Sequence, residues 1–253
     1  MLSAAARAWP GAGVFVLQPK FDGFRVLIQR DGGGRVRFWS RHGTALTAGV
    51  GDLCDVARDT IPPGTIVDGE LIALSETEQG VAQDFAAVGR AVFGRRAVDR
   101  SRLHVVAFDL LELDGEDLRA QSWRARDTHL RELLAGSSGR LQAIDTLDAT
   151  PATHDSVVAL GYEGTVLKQP RSLYRPGRQS TWRKLKARRQ VDGEVVALSR
   201  GEDGRRYAAV EVGDDRVVAA VVGRGDPRRG EVATVTYSRR DADGSLREPR
   251  VGG

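Results

Sequence analysis

The stretch Lys20-Phe21-Asp22-Gly23-Phe24-Arg25 decides how this chain folds, and the remaining elements are placed outward from it. Apolar runs flank it, Val14 to Leu17 before and Phe24 to Gln29 after, which predicts two strands joined by a tight turn. Aspartate followed by glycine lets the backbone turn sharply and approach a group such as a phosphate closely. The turn leaves a lysine at one strand end and Arg25 five residues on, a cation that would help depress the lysine's pKa. Next comes a hairpin, with Asp31 to Gly34 as its turn and Val36 to Ser40 as the returning strand. Further strands are expected in Gly64 to Leu74, around Asp68-Gly69-Glu70, and in Leu103 to Leu113. Apolar residues recurring at three and four predict helices at Leu53 to Asp59, Val81 to Val92, Arg124 to Leu134 and His154 to Leu160. Short strands joined by hairpins point to antiparallel sheets, not to a parallel βαβ sheet.

Composition shifts at Arg171 to Gln190, which holds eight basic residues and no acidic ones. Beyond it, Val191 to Gly253 carries 11 basic and 12 acidic residues, so the positive excess lies earlier in the chain. This last section reads as all-β, with strands at Gly193 to Ser199, Arg206 to Val212, Arg216 to Val222 and Glu231 to Ser238. Short strands in so few residues suit a small closed barrel of the OB type. The expected fold class is therefore α+β, an antiparallel-sheet domain over 1–188 followed by a barrel over 189–253, with the basic stretch as last strand and hinge.

With 253 residues, 41% of them hydrophobic and 28% charged, the chain has ample length to bury a core, and disorder and collagen-like repeats are excluded. Its apolar runs fall far short of a bilayer span, and Met1 to Pro10 has no basic region followed by an apolar core. No membrane partner and a cytoplasmic location are the expectations. The single cysteine, Cys54, excludes an internal disulfide and a multi-cysteine zinc site.

Of 38 basic residues only four are lysine: Lys20, Lys168, Lys184 and Lys186. Guanidinium stays protonated, whereas an ammonium can lose its proton and become a nucleophile. Codon bias accounts for the scarcity of lysine but not for the positions. Glu163-Gly164-Thr165-Val166-Leu167-Lys168 sets an acid and a glycine at the start of a strand and a lysine at its end. In Trp182-Arg183-Lys184-Leu185-Lys186, strand alternation puts both lysines on one face, suited to a polyphosphate, and Leu185 in the core.

Together these segments resemble an ATP-dependent DNA ligase of the covalent nucleotidyltransferase superfamily, over nearly the whole chain. Lys20 to Arg25 is similar to the nucleophile motif and Ser40-Arg41-His42-Gly43 to the next. Asp68-Gly69-Glu70, Phe108-Asp109-Leu110, Glu163 to Lys168 and Trp182 to Lys186 follow in the family's order. Tyr174-Arg175-Pro176-Gly177-Arg178 is similar to bacterial end-joining ligase domains. The resemblance implies an adenylation domain followed by an OB domain, acting in DNA repair or replication. Lys20 would attack the α-phosphorus of ATP and carry AMP as a phosphoramidate. Arg25 and Glu70 would hold the ribose, Phe108 would stack on adenine, and Lys168 would lie in the nucleotide pocket. Glu163 would bind Mg2+ (or Mn2+), Lys184 and Lys186 would contact the α-phosphate, and Arg41 would meet the 5′-phosphate of the nick. The implied partner is nicked double-stranded DNA, met by a monomer, with a repair polymerase or end-binding protein as recruiting partner.

Two departures from the family pattern stand out. Gln18 occupies the place of an acid that accepts a hydrogen bond from the adenine amino group, and its amide oxygen can accept the same bond. The usual Arg-x-Asp-Lys motif is absent from Gly244 to Gly253, which leaves either Arg247 or Arg250 for the departing pyrophosphate or a slow first step. An RNA ligase or capping guanylyltransferase shares the nucleophile and the pocket. A non-catalytic nucleic-acid-binding OB protein is the reading from another class, against which four motif lysines argue. NAD is disfavoured as nucleotide, because 19 residues precede Lys20 and zinc cysteines are missing.

Overall fold

The computed structural model describes the chain except at positions 7–8, 11–13, 78–79, 95–98, 138, 214–215, 224, 241–244 and 253. Two compact units emerge, Met1–Leu185 and Lys186–Gly253.

The larger unit is built on two sheets, and the turn at 21–23 carries the chain from one to the other. In the first sheet the strands run Leu2–Ala5, Arg178–Lys186, Gly164–Lys168, Val16–Lys20 and Leu147–Asp148 in lateral order. In the second the order is Val36–Ser40, Phe24–Arg30, Thr65–Thr77, Leu103–Leu113 and Glu116–Asp117. Lys20 is thus the last residue of a strand in one sheet, and Phe24 and Arg25 are the first residues of a strand in the other. Gly23 makes the crossing possible: a Cβ there would lie 2.2 Å from the carbonyl oxygen of Leu71, on the strand the turn passes over. Pairing is antiparallel as expected, except that Leu2–Ala5 runs parallel to Arg178–Lys186 and Leu141–Ala143 parallel to Leu103–Leu113.

Helices cover the second sheet. Val26, Ile28, Val67, Leu71, Val105 and Leu110 form its buried face, against Leu53 and Ala57 of the Leu53–Thr60 helix, Val88 and Ala91 of the Phe85–Phe93 helix, and Leu130 of the Trp123–Leu133 helix. The Trp123–Leu133 helix is fastened by more than apolar contact. Arg126, fully buried, forms a two-pronged ion pair with buried Asp109 at 2.7 and 2.9 Å, and its remaining amino group donates to the carbonyl of Gln121 at 2.7 Å. Both charges are out of water, so each depends on the other for its solvation.

Three local expectations are corrected. Val14 is 77% exposed and outside the strand, which starts at Val16 where pairing to Lys168 and Asp148 begins. The expected helix at Val81 to Val92 is two elements: Gly80–Gln83 is a strand antiparallel to Thr65–Thr77, and the helix starts only at Phe85. Asp84 imposes the break by accepting a hydrogen bond from the backbone N–H of Ala87 as N-cap. The helix expected from His154 begins three residues earlier, at Pro151, because Thr150 caps it and proline suits its first turn.

The smaller unit is a closed barrel in the order Arg189–Arg200, Arg206–Val212, Arg216–Val222, Arg250–Val251 and Val232–Tyr237. Alternation sends Ala208, Val210 and Val212 of one strand inward to meet Val195, Val218, Ala220 and Val235. The closing strand, Arg250–Val251, is two residues long and escapes a reading based on alternation.

Candidate active site

The two sheets of the larger unit enclose a cavity of about 680 Å3. Strand register decides what lines it. Across the Val16–Lys20 and Gly164–Lys168 strands, Gln18 stands opposite Val166, Lys20 opposite Gly164 and Val16 opposite Lys168. Directly opposed residues share a face, so Gln18, Lys20, Val166 and Lys168 all front the cavity. From the second sheet come Arg25, Glu70 and Val106, one cross-strand row, together with Phe108. Trp182 and Lys184 enter from the Arg178–Lys186 strand, two residues apart on one face.

Lys20 stands at the rim of this floor with its side chain 22% exposed, and its ammonium donates to the Glu163 carboxylate. Glu163 is held there because its backbone N–H donates to the carbonyl of Lys20 at 3.2 Å, just where the Gly164–Lys168 strand starts. Residues 143 positions apart thereby form one unit, an amine with a carboxylate in contact with it.

Arg25 is committed to the protein. Its Nε donates to Asp68 Oδ1 at 2.9 Å, Nη2 donates to Asp68 Oδ2 and to Tyr174 Oη at 3.1 Å, and Nη1 donates to the Met1 carbonyl. Tyr174 Oη in turn donates to Asp68 Oδ2 at 2.9 Å. Burial disfavours the Arg25 charge, but the Asp68 carboxylate overrides it and holds the guanidinium more firmly protonated than usual. Burial pushes the Tyr174 hydroxyl far above the usual phenol range, and Asp68 adds to that. Glu70, Arg25's neighbour across the ladder, is pushed up to about 7 by burial, against the pull of Lys20 and Arg25.

Lys168 is 1% exposed and sits in an aromatic box, its ammonium 3.9 Å from the ring centre of Trp182, 4.9 Å from Phe108 and 5.3 Å from Trp123. It donates one hydrogen bond, to the backbone carbonyl of Phe108 at 2.8 Å. Burial lowers its pKa to about 7, with Asp109 the largest opposing influence. Its ammonium therefore props the Phe108 backbone while lying over the ring.

At the cavity mouth, Ser40 to Thr44 forms a tight turn in which Ser40 Oγ accepts from the backbone N–H of Thr44 at 3.0 Å. This turn presents exposed Arg41 and His42 to the opening. Lys186 is placed elsewhere: it is counted with the smaller unit, is not among the cavity-lining residues, and pairs with Glu248 at 2.7 Å. Of the ten residues singled out from sequence, the structure brings Gln18, Arg25, Arg41, Glu70, Phe108, Lys168, Lys184 and Lys20 to one cavity, with Glu163 in contact through Lys20. Five contributors have no individual role in the sequence reading: Asp68, Tyr174, Trp182, Asp109 and Arg126. Two acids inside apolar strands, Asp68 and Asp109, were the available signal, since a buried carboxylate demands a partner. Among the described residues no cluster of three or more His, Cys, Asp or Glu is spaced to hold a metal, and no helix is long and apolar enough to cross a membrane.

Residues 6–186 match the family model described as "ATP dependent DNA ligase domain". A DNA ligase of Haloferax volcanii is 30% identical over 210 residues, 80% of this chain and 36% of that protein. A probable DNA ligase of Saccharopolyspora erythraea is 35% identical over 191 residues, 74% of this chain and 36% of that one. The chain thus spans little more than a third of the length of either relative. Among solved structures, a mycobacterial DNA ligase D complexed with ATP and MES superposes with a TM-score of 0.64 at 24% identity, covering 99% of this chain and 93% of that one, and shares its fold.

Proposed function

The chain belongs to the ATP-dependent DNA ligase domain family, and from that premise we propose that it seals nicks in duplex DNA through a covalent lysyl-adenylate on Lys20. The observation that carries this reading is the Lys20–Glu163 pair at the edge of a cavity that also holds Glu70, Phe108, Lys168 and Lys184. A neutral lysine amine is the nucleophile this chemistry needs; contact with the Glu163 carboxylate favours the ammonium, so attack requires Lys20 to leave that contact and give its proton to water.

In the first step Nζ of Lys20 bonds to the α-phosphorus of ATP, the bond to the bridging oxygen breaks, and pyrophosphate leaves. In the second, a 5′-phosphate oxygen of the nick takes the adenylyl group and frees the lysine. In the third, the 3′-hydroxyl attacks that 5′-phosphorus, AMP leaves and the strand is joined. Phe108 offers its face to the adenine, with Lys168 fixing the backbone behind it. Gln18 meets the adenine amino group. Glu70 lies within reach of the ribose, and Arg25, locked by Asp68 and Tyr174, is a fixed wall beside it. Lys184 carries charge for the α-phosphate. Arg41, exposed at the mouth, meets the 5′-phosphate of the DNA. Lys186 joins the phosphate contacts only if its bond to Glu248 is exchanged.

Glu163 is a hard oxygen donor beside the reacting amine, which fits Mg2+ or Mn2+ taking most of its ligands from phosphates. Such an ion, when bound, neutralises phosphate charge. Nicked DNA is the proposed partner, gripped by electrostatics through the basic stretch Arg171 to Arg189.

The test is incubation with labelled ATP and magnesium followed by a denaturing gel, then sealing of a nicked duplex. A labelled band that is lost in Lys20→Arg supports the reading. A band that persists in that variant refutes it. Glu163→Ala should block labelling with little change in melting temperature.

A further inference from the structure

The carboxamide of Gln18 can present either its oxygen or its NH2 to the cavity, and the two ends suit different purines. Adenine carries an amino donor where guanine carries a carbonyl acceptor. A carboxylate can only accept and so rejects guanine unaided, whereas a carboxamide does not choose by itself. The choice must be made by whatever fixes its orientation.

Behind Gln18, which is 1% exposed, stands a chain of polar groups. Gln18 Nε2 donates to Thr146 Oγ1 at 3.0 Å, and the same oxygen accepts from Arg131 Nη2 at 2.7 Å. Arg131 is itself held by Asp127 Oδ2 at 2.9 Å and by the carbonyl of Ile144 at 2.6 Å. A guanidinium has only donors, so an amide placed against it turns its oxygen toward it and its NH2 away. The threonine hydroxyl, placed between the two, permits the opposite orientation, and that is the one the structure holds. Its oxygen accepts from both sides, so the amide NH2 faces Thr146 and the amide oxygen is left for the cavity.

We propose that Thr146 sets the purine preference of this site, holding Gln18 with its carboxamide oxygen toward the base so that adenine is taken and guanine refused. Thr146 acts through Gln18 and is a positioning residue. The inference rests on the reading above that Gln18 meets the nucleotide base, and it extends that reading to a residue outside every family motif.

The experiment measures, on the full chain, equilibrium binding of ATP and of GTP and covalent labelling by each. Thr146→Val is nearly isosteric and should lower the ATP:GTP binding ratio about tenfold to a hundredfold, because the amide then turns its oxygen to Arg131. Thr146→Ser should keep the ratio. Adding Gln18→Glu to Thr146→Val should restore it, since a carboxylate cannot donate to guanine. A merely structural role for Thr146 would weaken both nucleotides together and would not be rescued by Gln18→Glu. An unchanged ratio in Thr146→Val overturns the proposal. If the ratios shift as expected but neither nucleotide labels Lys20, the purine assignment stands and the covalent reading of the site fails.

Discussion

In Met1–Leu185 the buried side chains include Asp68, Asp109, Arg126 and Lys168, whereas the core of Lys186–Gly253 is Val195, Ala208, Val210, Ala220, Val235 and their like. Among the described residues of the barrel, the only buried polar side chain is Ser238. A valine and alanine core specifies a shape and tolerates repacking. Buried ions tolerate little, because each must keep its partner at hydrogen-bonding distance. In the larger unit those ions support the cavity wall: Asp68 locks Arg25, Asp109 anchors the helix carrying Arg126, and Lys168, itself in the wall, props Phe108. The contrast locates the demand for fixed geometry in one unit.

The largest expected effect separates chemistry from architecture. Lys20→Arg keeps the charge next to Glu163 but offers no neutral amine, so labelling by ATP should fall by at least about a thousandfold with the melting temperature nearly unchanged. Next, Asp109→Ala strands Arg126 without its counter-ion and should destabilise the larger unit by about 3–5 kcal/mol, read by denaturant unfolding. Val210→Ala in the barrel removes only apolar contact and should cost about 2 kcal/mol. If the two variants cost the same, buried charge is not what distinguishes the units.

A gentler effect sharpens the same contrast through pH. Glu70 holds its proton up to about 7 when folded, so the folded state binds more protons than the unfolded one between 4.5 and 7, and its contribution to stability falls as pH rises through that window. Lys168 gives up its proton near 7 instead of 10.5, so the unfolded state binds more protons above 7, and its contribution rises from there upward. These two groups together should place a shallow minimum of stability near neutrality. Melting curves across this range should lose the falling limb in Glu70→Gln and the rising limb in Lys168→Met.

The sequence carried the architecture because alternation and turn chemistry act locally: the hairpin from Phe24 to Ser40 and four of the barrel strands follow from neighbours within a few residues. The motif lysines were legible because the rest of the chain writes positive charge as arginine. What stayed hidden depends on partners far away in the chain. Asp68 finds Tyr174 across 106 positions and Gln18 finds Thr146 across 128, and nothing in either local pattern announces the other. The Gly80–Gln83 strand escapes the periodicity for a related reason, since it follows a pairing with Thr65–Thr77 while the residues after it, from Phe85, are helical. Lys186 shares its strand face with Lys184, yet alternation could not foresee Glu248 as its partner.

The two residues Arg250 and Val251 have a practical consequence out of proportion to their number. They join Arg216–Val222 on one side and Val232–Tyr237 on the other, and among the described residues nothing else bridges that gap. Trimming them by a protease would turn the barrel into an open sheet with two exposed borders, Val217 to Val222 and Val232 to Tyr237, both rich in valine. Such borders recruit strands from other molecules, so the clipped protein should aggregate. Solubility over storage is thus governed by a strand of two residues at the seam of the barrel.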